Sequence, residues 1–163
     1  MSGYLPKRPS EFHKIPHARL AIIASMWHRE CVQSMIDRAC RELDALGVKA
    51  QNISVHYLPG AYELPLAAQL LFEREQKLDA ILAFGVVLKG GTTHDLTVLQ
   101  NVVQGFAEVS RRYGKPIINE VIGVVKIEDA VKRSADDLLN KGLEAVFAVS
   151  ELLHWNNSLK PPA

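Results

Sequence analysis

The sequence predicts an α/β fold in which a parallel sheet of four strands is covered by helices on both faces. Three observations carry this. Short apolar runs alternate with segments of helical period in the order β-α-β-α-β-α-β-α, an alternation that implies a parallel sheet joined by right-handed crossovers. The length, 163 residues, is that of one domain. The composition, 48% hydrophobic and 23% charged, supplies a sizeable core and argues against disorder.

Residues 20–26 (LAIIASM) form an apolar run bounded by polar residues, suited to a strand buried on both faces. From about 28 to 46, Val32, Met35, Ile36, Ala39, Leu43 and Leu46 recur at helical spacing, and Gly47 is placed to end that helix. Residues 53–58 (ISVHYL) alternate and are β-branched, a second strand. Pro59-Gly60 makes a turn, followed by helical periodicity to about Glu75. Residues 79–88 are very apolar and predict a central third strand. A long helix spans about 93–113, closed by Gly114, and a fourth strand spans 117–125. Residues 127–155 read as one or two final helices, with Asn140-Lys141-Gly142 as the break. Residues 1–18 hold Pro6, Pro9 and Pro16 and read as an arm outside the core, ahead of a single domain over 19–163.

Nineteen basic residues against 18 acidic ones leave a net charge of +1, which gives no reason to expect a nucleic acid or an anionic membrane as partner. No stretch is apolar for long enough to span a bilayer, and the first residues lack the apolar run of a signal peptide. Cys31 and Cys40 fall on one predicted helix, too far apart along its axis for a disulfide. Reduced thiols and a cytoplasmic location are the expectation. With no CxxC pair, no HExxH and no dense Cys/His cluster, no metal is expected.

In a parallel sheet of this kind, ligands collect beyond the carboxyl ends of the strands. Three strand-to-helix junctions carry unusual residues there. Trp27-His28-Arg29 follows the first strand, PGAYELP (59–65) the second, and KGGTTHD (89–95) the third. In the third, paired glycines let backbone amides face a ligand, and the helix start adds its positive dipole end. Thr92 and Thr93 add hydroxyls, so the loop could hold a phosphate, although it does not match a P-loop. On spacing alone an ordinary Gly-Gly turn with a threonine cap is favoured. His94 is either a proton relay beside a bound phosphate or a surface histidine. Glu63 suits a helix start through the dipole alone. Tyr62 could simply pack. Trp27 is either core filler or a flat platform for a heteroaromatic ring.

Taken together, PGAYELPLAAQLL, LDAILAFGVVLKGGTTHDLTV, Arg133 and the Asn140-Lys141-Gly142 triplet resemble the lumazine synthase family in order and spacing. That family has an aromatic after strand one, PGA-aromatic-E-(I/L)-P after strand two, and a basic-Gly-x-Thr-x-His loop after strand three. It also has a late arginine eight residues before the lysine of an NKG triplet, the interval from Arg133 to Lys141.

The resemblance, which covers about 20–153, implies a flavodoxin-like three-layer α-β-α sandwich assembled as pentamers or multiples of pentamers. It implies a transferase of riboflavin biosynthesis that uses two small-molecule substrates and no cofactor. These are 5-amino-6-(D-ribitylamino)uracil and 3,4-dihydroxy-2-butanone 4-phosphate, condensed to 6,7-dimethyl-8-ribityllumazine, phosphate and water. Carried over by position, Trp27 would stack on the pyrimidine ring, and Ala61, Tyr62 and Glu63 would hold the ribityl chain. Val87 and Leu88 would seat the ring edge. Gly91, Thr92 and Arg133 would hold the phosphate, His94 would transfer protons, and Lys141 would lie near the pocket. The arm could add an edge strand to a neighbour.

The chain departs from the family at several positions. Asp95 and Leu96 follow the histidine where an aromatic and an acid are usual, and Lys132 replaces the acid before the arginine. Asn119-Glu120 stands where a Phe-Gly pair usually supplies a wall from the adjacent subunit, so Asn119 would make that wall polar. Ala135-Asp136-Asp137-Leu138-Leu139 replaces a run that carries a basic residue. Two other functional classes share the fold: a flavin- or lumazine-binding paralogue with little catalysis, and a shell-forming scaffold. Retention of His94 and Arg133 favours the enzyme.

Overall fold

All six residues of β1 (Leu20–Ser25) are buried, because strands flank it on both sides and helices cover both its faces. Leu20, Ile22 and Ala24 enter one apolar cluster while Ala21 and Ile23 enter another, the two-residue alternation of a strand. The computed structural model, which describes residues 5–159, joins β1 in one sheet to β2 (Ile53–Leu58), β3 (Ala80–Leu88) and β4 (Ile117–Val124). Every pairing is parallel, in the order β2-β1-β3-β4. The very apolar β3 is central, as its composition predicts, and the alternating β2 is a half-exposed edge.

Helices α1 (Arg29–Ala45), α4 (Ile127–Ser134) and α5 (Lys141–Ser158) cover one face, through residues such as Met35, Leu43, Ala130 and Val146. Helices α2 (Leu64–Arg74) and α3 (His94–Tyr113) cover the other. Val98, Val102, Phe106 and Val109 form the inward stripe of α3; full burial of one such side chain is worth about 1.5–3 kcal/mol. The architecture is the expected flavodoxin-like three-layer sandwich. Gly47 and Gly114 end α1 and α3 with φ of +89° and +60°, conformations that favour glycine. Both cysteines lie on α1 and are free.

Two expectations are corrected. The break between the last helices is the stretch 135–140, and the Asn-Lys-Gly triplet opens α5 rather than interrupting it. Asn140 is the cap of α5: its Oδ1 accepts from Gly142 N at 2.8 Å. The segment before β1 is not wholly outside the core. Phe12, Ile15 and Ala18 are buried with α1 and α5, and the Phe12 and Phe147 rings lie 5.3 Å apart between centroids. His13 stacks on His154 of α5 at 3.6 Å. Proline-rich composition hid the three apolar anchors. Among the described residues this segment has a 3-10 turn, Pro9–Glu11, and no strand of its own; residues 1–4 lie outside the described residues.

Candidate active site

An open cleft of about 550 Å³ lies at the carboxyl ends of β1, β2 and β3, on the α2–α3 side. Its position follows from topology. The chain leaves β1 toward β2 in one direction and returns to β3 on the other side, so the loops diverge there and leave a crevice.

The junction after β1 supplies Trp27. His28 joins β1 to α1 in the left-handed region, at φ 53° and ψ 47°, which costs a non-glycine residue about 1–3 kcal/mol. Trp27, just before this turn, is left 69% exposed at the cleft wall. The core-filler reading of Trp27 is therefore excluded. After β2, Gly60 lies against the Glu63 carboxylate and near the Trp27 indole: a Cβ added at Gly60 would sit 3.0 Å from Glu63 Oε2 and 3.9 Å from Trp27 Nε1. The absence of a side chain at Gly60 thus brings a carboxylate and an indole edge to one place. Ala61 is buried, Tyr62 is exposed, and the Tyr62 carbonyl accepts from Asn101 Nδ2 at 3.1 Å, tying the turn to α3.

β3 ends in Val87 and Leu88 on the cleft wall, and His94, the first residue of α3, stands opposite. Between them, nothing lies within 4 Å of where a Cβ would be at Gly90 or Gly91. The expected threonine cap takes another form: Thr93 occupies the cap position without a side-chain bond, and Thr92 Oγ1 accepts from His94 N at 3.3 Å. The loop therefore presents open backbone beside the imidazole.

Asn119, Arg133 and Lys141 are not brought to this cleft within one chain. Arg133 and Lys141 line a second, larger hollow formed by β4, α4 and α5, on the opposite helical layer. β4 is the other edge strand of the sheet, so its outer rim and the α4–α5 face look away from His94. The Arg133 side chain has no hydrogen bond or ion pair to the described residues. Lys141 Nζ donates to Glu144 Oε2 at 2.6 Å and lies 3.4 Å from Glu120 Oε2. Asn119 is exposed on β4, its Oδ1 accepting from Val121 N at 3.1 Å, and lines neither hollow.

Glu120 is a residue that sequence reasoning did not single out. Its side chain is buried, and burial pushes its carboxyl up to about 7 against the opposing pull of Lys141. Burial works to lower the Lys141 ammonium, but Glu144 and Glu120 outweigh it and hold that group above the usual lysine value. Ser25 was missed as well. It closes β1, lines the cleft, and its buried hydroxyl lacks a partner among the described residues. A serine ending an apolar run was its only signal. The acids Asp136 and Asp137 are spent elsewhere: Asp136 binds Arg38 at 2.7 Å and also Arg41, both on α1, and Asp137 accepts from Leu139 N at 2.7 Å. The two arginines hold the Asp136 carboxyl below the usual range.

Fold and cleft together define a three-layer α/β protein with an open crevice at the carboxyl ends of its parallel strands. The family signature for 6,7-dimethyl-8-ribityllumazine synthase matches residues 17–157. The chain belongs to this family of riboflavin biosynthesis.

Proposed function

We propose that the protein is a transferase that condenses 5-amino-6-(D-ribitylamino)uracil with 3,4-dihydroxy-2-butanone 4-phosphate to give 6,7-dimethyl-8-ribityllumazine, phosphate and water. The observation that carries this reading is Trp27, an aromatic plate left in the open beside Gly60, Glu63, Val87 and His94 in one cleft. Trp27 offers its face to the pyrimidine. Glu63, with the Ala61 and Tyr62 backbone, offers polar partners to the ribityl hydroxyls. Val87 and Leu88 close the ring edge.

Schiff-base formation, phosphate elimination and ring closure each move protons. His94 is placed at the mouth of the loop to carry them, a service worth about 10²–10⁴-fold. Orientation of two substrates supplies much of the rest. Gly91 and Thr92 offer an open backbone and a hydroxyl to the phosphate, and the Arg133 guanidinium supplies charge. Since His94 and Arg133 occupy opposite faces of one chain, the complete site needs two subunits, the α4–α5 face of one closing the cleft of the next. A pentamer or a multiple of pentamers provides that contact between identical chains. Asn119, on the same exposed strand as the closing face, would then border the ring. The free thiols of Cys31 and Cys40 favour a reducing, cytoplasmic setting.

Lumazine formation followed optically, with both substrates and purified protein, tests this. The expected outcome is acceleration well above the spontaneous reaction. His94→Ala should lower turnover, and Arg133→Ala should raise the KM for the butanone phosphate. Tight lumazine binding without any acceleration would replace the enzyme by a binding protein of the same fold.

A further inference from the structure

We infer that Glu120 sets the affinity of the Arg133–Lys141 depression for a dianion, acting through Lys141 as a positioning residue. This rests on the reading of Arg133 as part of the phosphate site and names what regulates that site. The geometry is specific. Glu120 sits in the middle of β4 with its side chain turned under α5, buried to 7% exposure. Lys141, at the first position of α5, is drawn between Glu120 and Glu144. The Arg133 guanidinium shares the same hollow and makes no hydrogen bond or ion pair to the described residues.

Among the described residues, the charged groups facing this hollow can be counted. Helix α4 contributes Asp129, Lys132 and Arg133, α5 contributes Lys141 and Glu144, and β4 contributes Glu120 alone. Of the described residues before β1, Leu5 and Pro6 line it, and neither side chain is charged. With Glu120 ionised, three cations meet three carboxylates and the hollow is neutral. With Glu120 protonated, the balance is +1, and Lys141 keeps Glu144 as its only carboxylate partner. Because the Glu120 carboxyl titrates near 7, the hollow changes between these two states across neutral pH. A bound dianion favours the protonated state, so binding takes up a proton, and affinity falls as pH rises through that value.

Sulfate, a dianion that does not itself titrate between pH 6 and pH 8.5, is the probe, added calorimetrically to the assembled full-length protein. The expected result is a Kd roughly tenfold tighter at pH 6 than at pH 8.5, the size of the interaction of one charge with a dianion over roughly 10 Å at an effective dielectric of about 50, between the values for a protein surface and for water. Near pH 7, titrations in buffers of different ionisation enthalpy should show fractional proton uptake by the unmodified protein. Glu120→Gln should bind sulfate with one affinity at both pH values, close to that of the unmodified protein at pH 6. An unchanged pH slope in Glu120→Gln, or no proton uptake by the unmodified protein, overturns the inference. Acceleration of lumazine formation with pH-independent sulfate binding overturns this inference alone. Absence of both acceleration and sulfate binding overturns it together with the proposed function.

Discussion

Trp27 and Glu120 occupy opposite extremes of exposure, and each is informative because its chemistry does not suit its place. A tryptophan 69% exposed forgoes most of the burial its ring could gain, so its removal should hardly disturb the fold. For Trp27→Ala we expect a change in unfolding free energy of about 0.5 kcal/mol or less. Affinity for the lumazine product should drop by about tenfold or more, since stacking a base on an aromatic plate is worth roughly 1–3 kcal/mol. Thermal melts and a fluorescence titration measure the two quantities; unchanged lumazine affinity would remove Trp27 from the site. The aromatic was visible in the sequence at a strand end, but its exposure was not. Glu120 was harder to see, because a single acid in a half-apolar strand looks like a solvated edge until α5 is found packed over it.

At the scale of elements, the Asn-Lys-Gly triplet divides into two structural residues and one that faces the second hollow. Asn140 is buried, and besides capping α5 its Nδ2 donates to the carbonyls of Ser134 and Ala135 at 2.9 and 2.8 Å. One side chain thus closes α4 and starts α5. Gly142 lets α5 meet α1 backbone to backbone: a Cβ there would fall 2.0 Å from the Met35 carbonyl oxygen. Backbone cannot swing aside as a side-chain tip can. Gly142→Ala should therefore cost about 3 kcal/mol or more, the upper end for overpacking, as read by chemical denaturation. A loss below about 1 kcal/mol would mean that α1 and α5 slide apart easily. The element types were legible from periodicity, and so was the capping role of Gly47. A break at Asn140 was legible too, but its extent back to residue 135 was not, because the leucines and alanine before Asn140 suit a helix. Asp136 is instead drawn to Arg38 and Arg41 of α1, a tertiary pairing that no local pattern announces.

The whole molecule carries its candidate machinery on two faces that one chain cannot bring together. His94 and the open loop lie on the α2–α3 side, while Arg133, Lys141 and Glu120 lie under α4 and α5. Leu96 and Val103, two turns apart on α3, are 61% and 57% exposed, an apolar stripe suited to contact with another copy. Val103→Glu should leave the far-ultraviolet circular dichroism intact, shift sedimentation toward smaller species and abolish lumazine formation along with assembly. Full activity in a monomeric variant would refute the shared site.

Strand and helix order, the central place of β3, the ligand end of the sheet and the residues at its three junctions were determined by the sequence alone. These properties follow from local period, from apolar content and from the chirality of crossovers, all of which act along the chain. Only the tertiary structure decided that Trp27 is open, that Phe12, Ile15 and Ala18 join the core, and that the Ser25 hydroxyl is buried without a partner among the described residues. The same holds for the separation of Arg133 from His94 and for the burial of Glu120 beneath Lys141. Each of these depends on which surfaces distant segments present to one another. Exposure, pairing and the ionisation of a buried carboxyl are properties of that packing, and no single segment of the chain contains them.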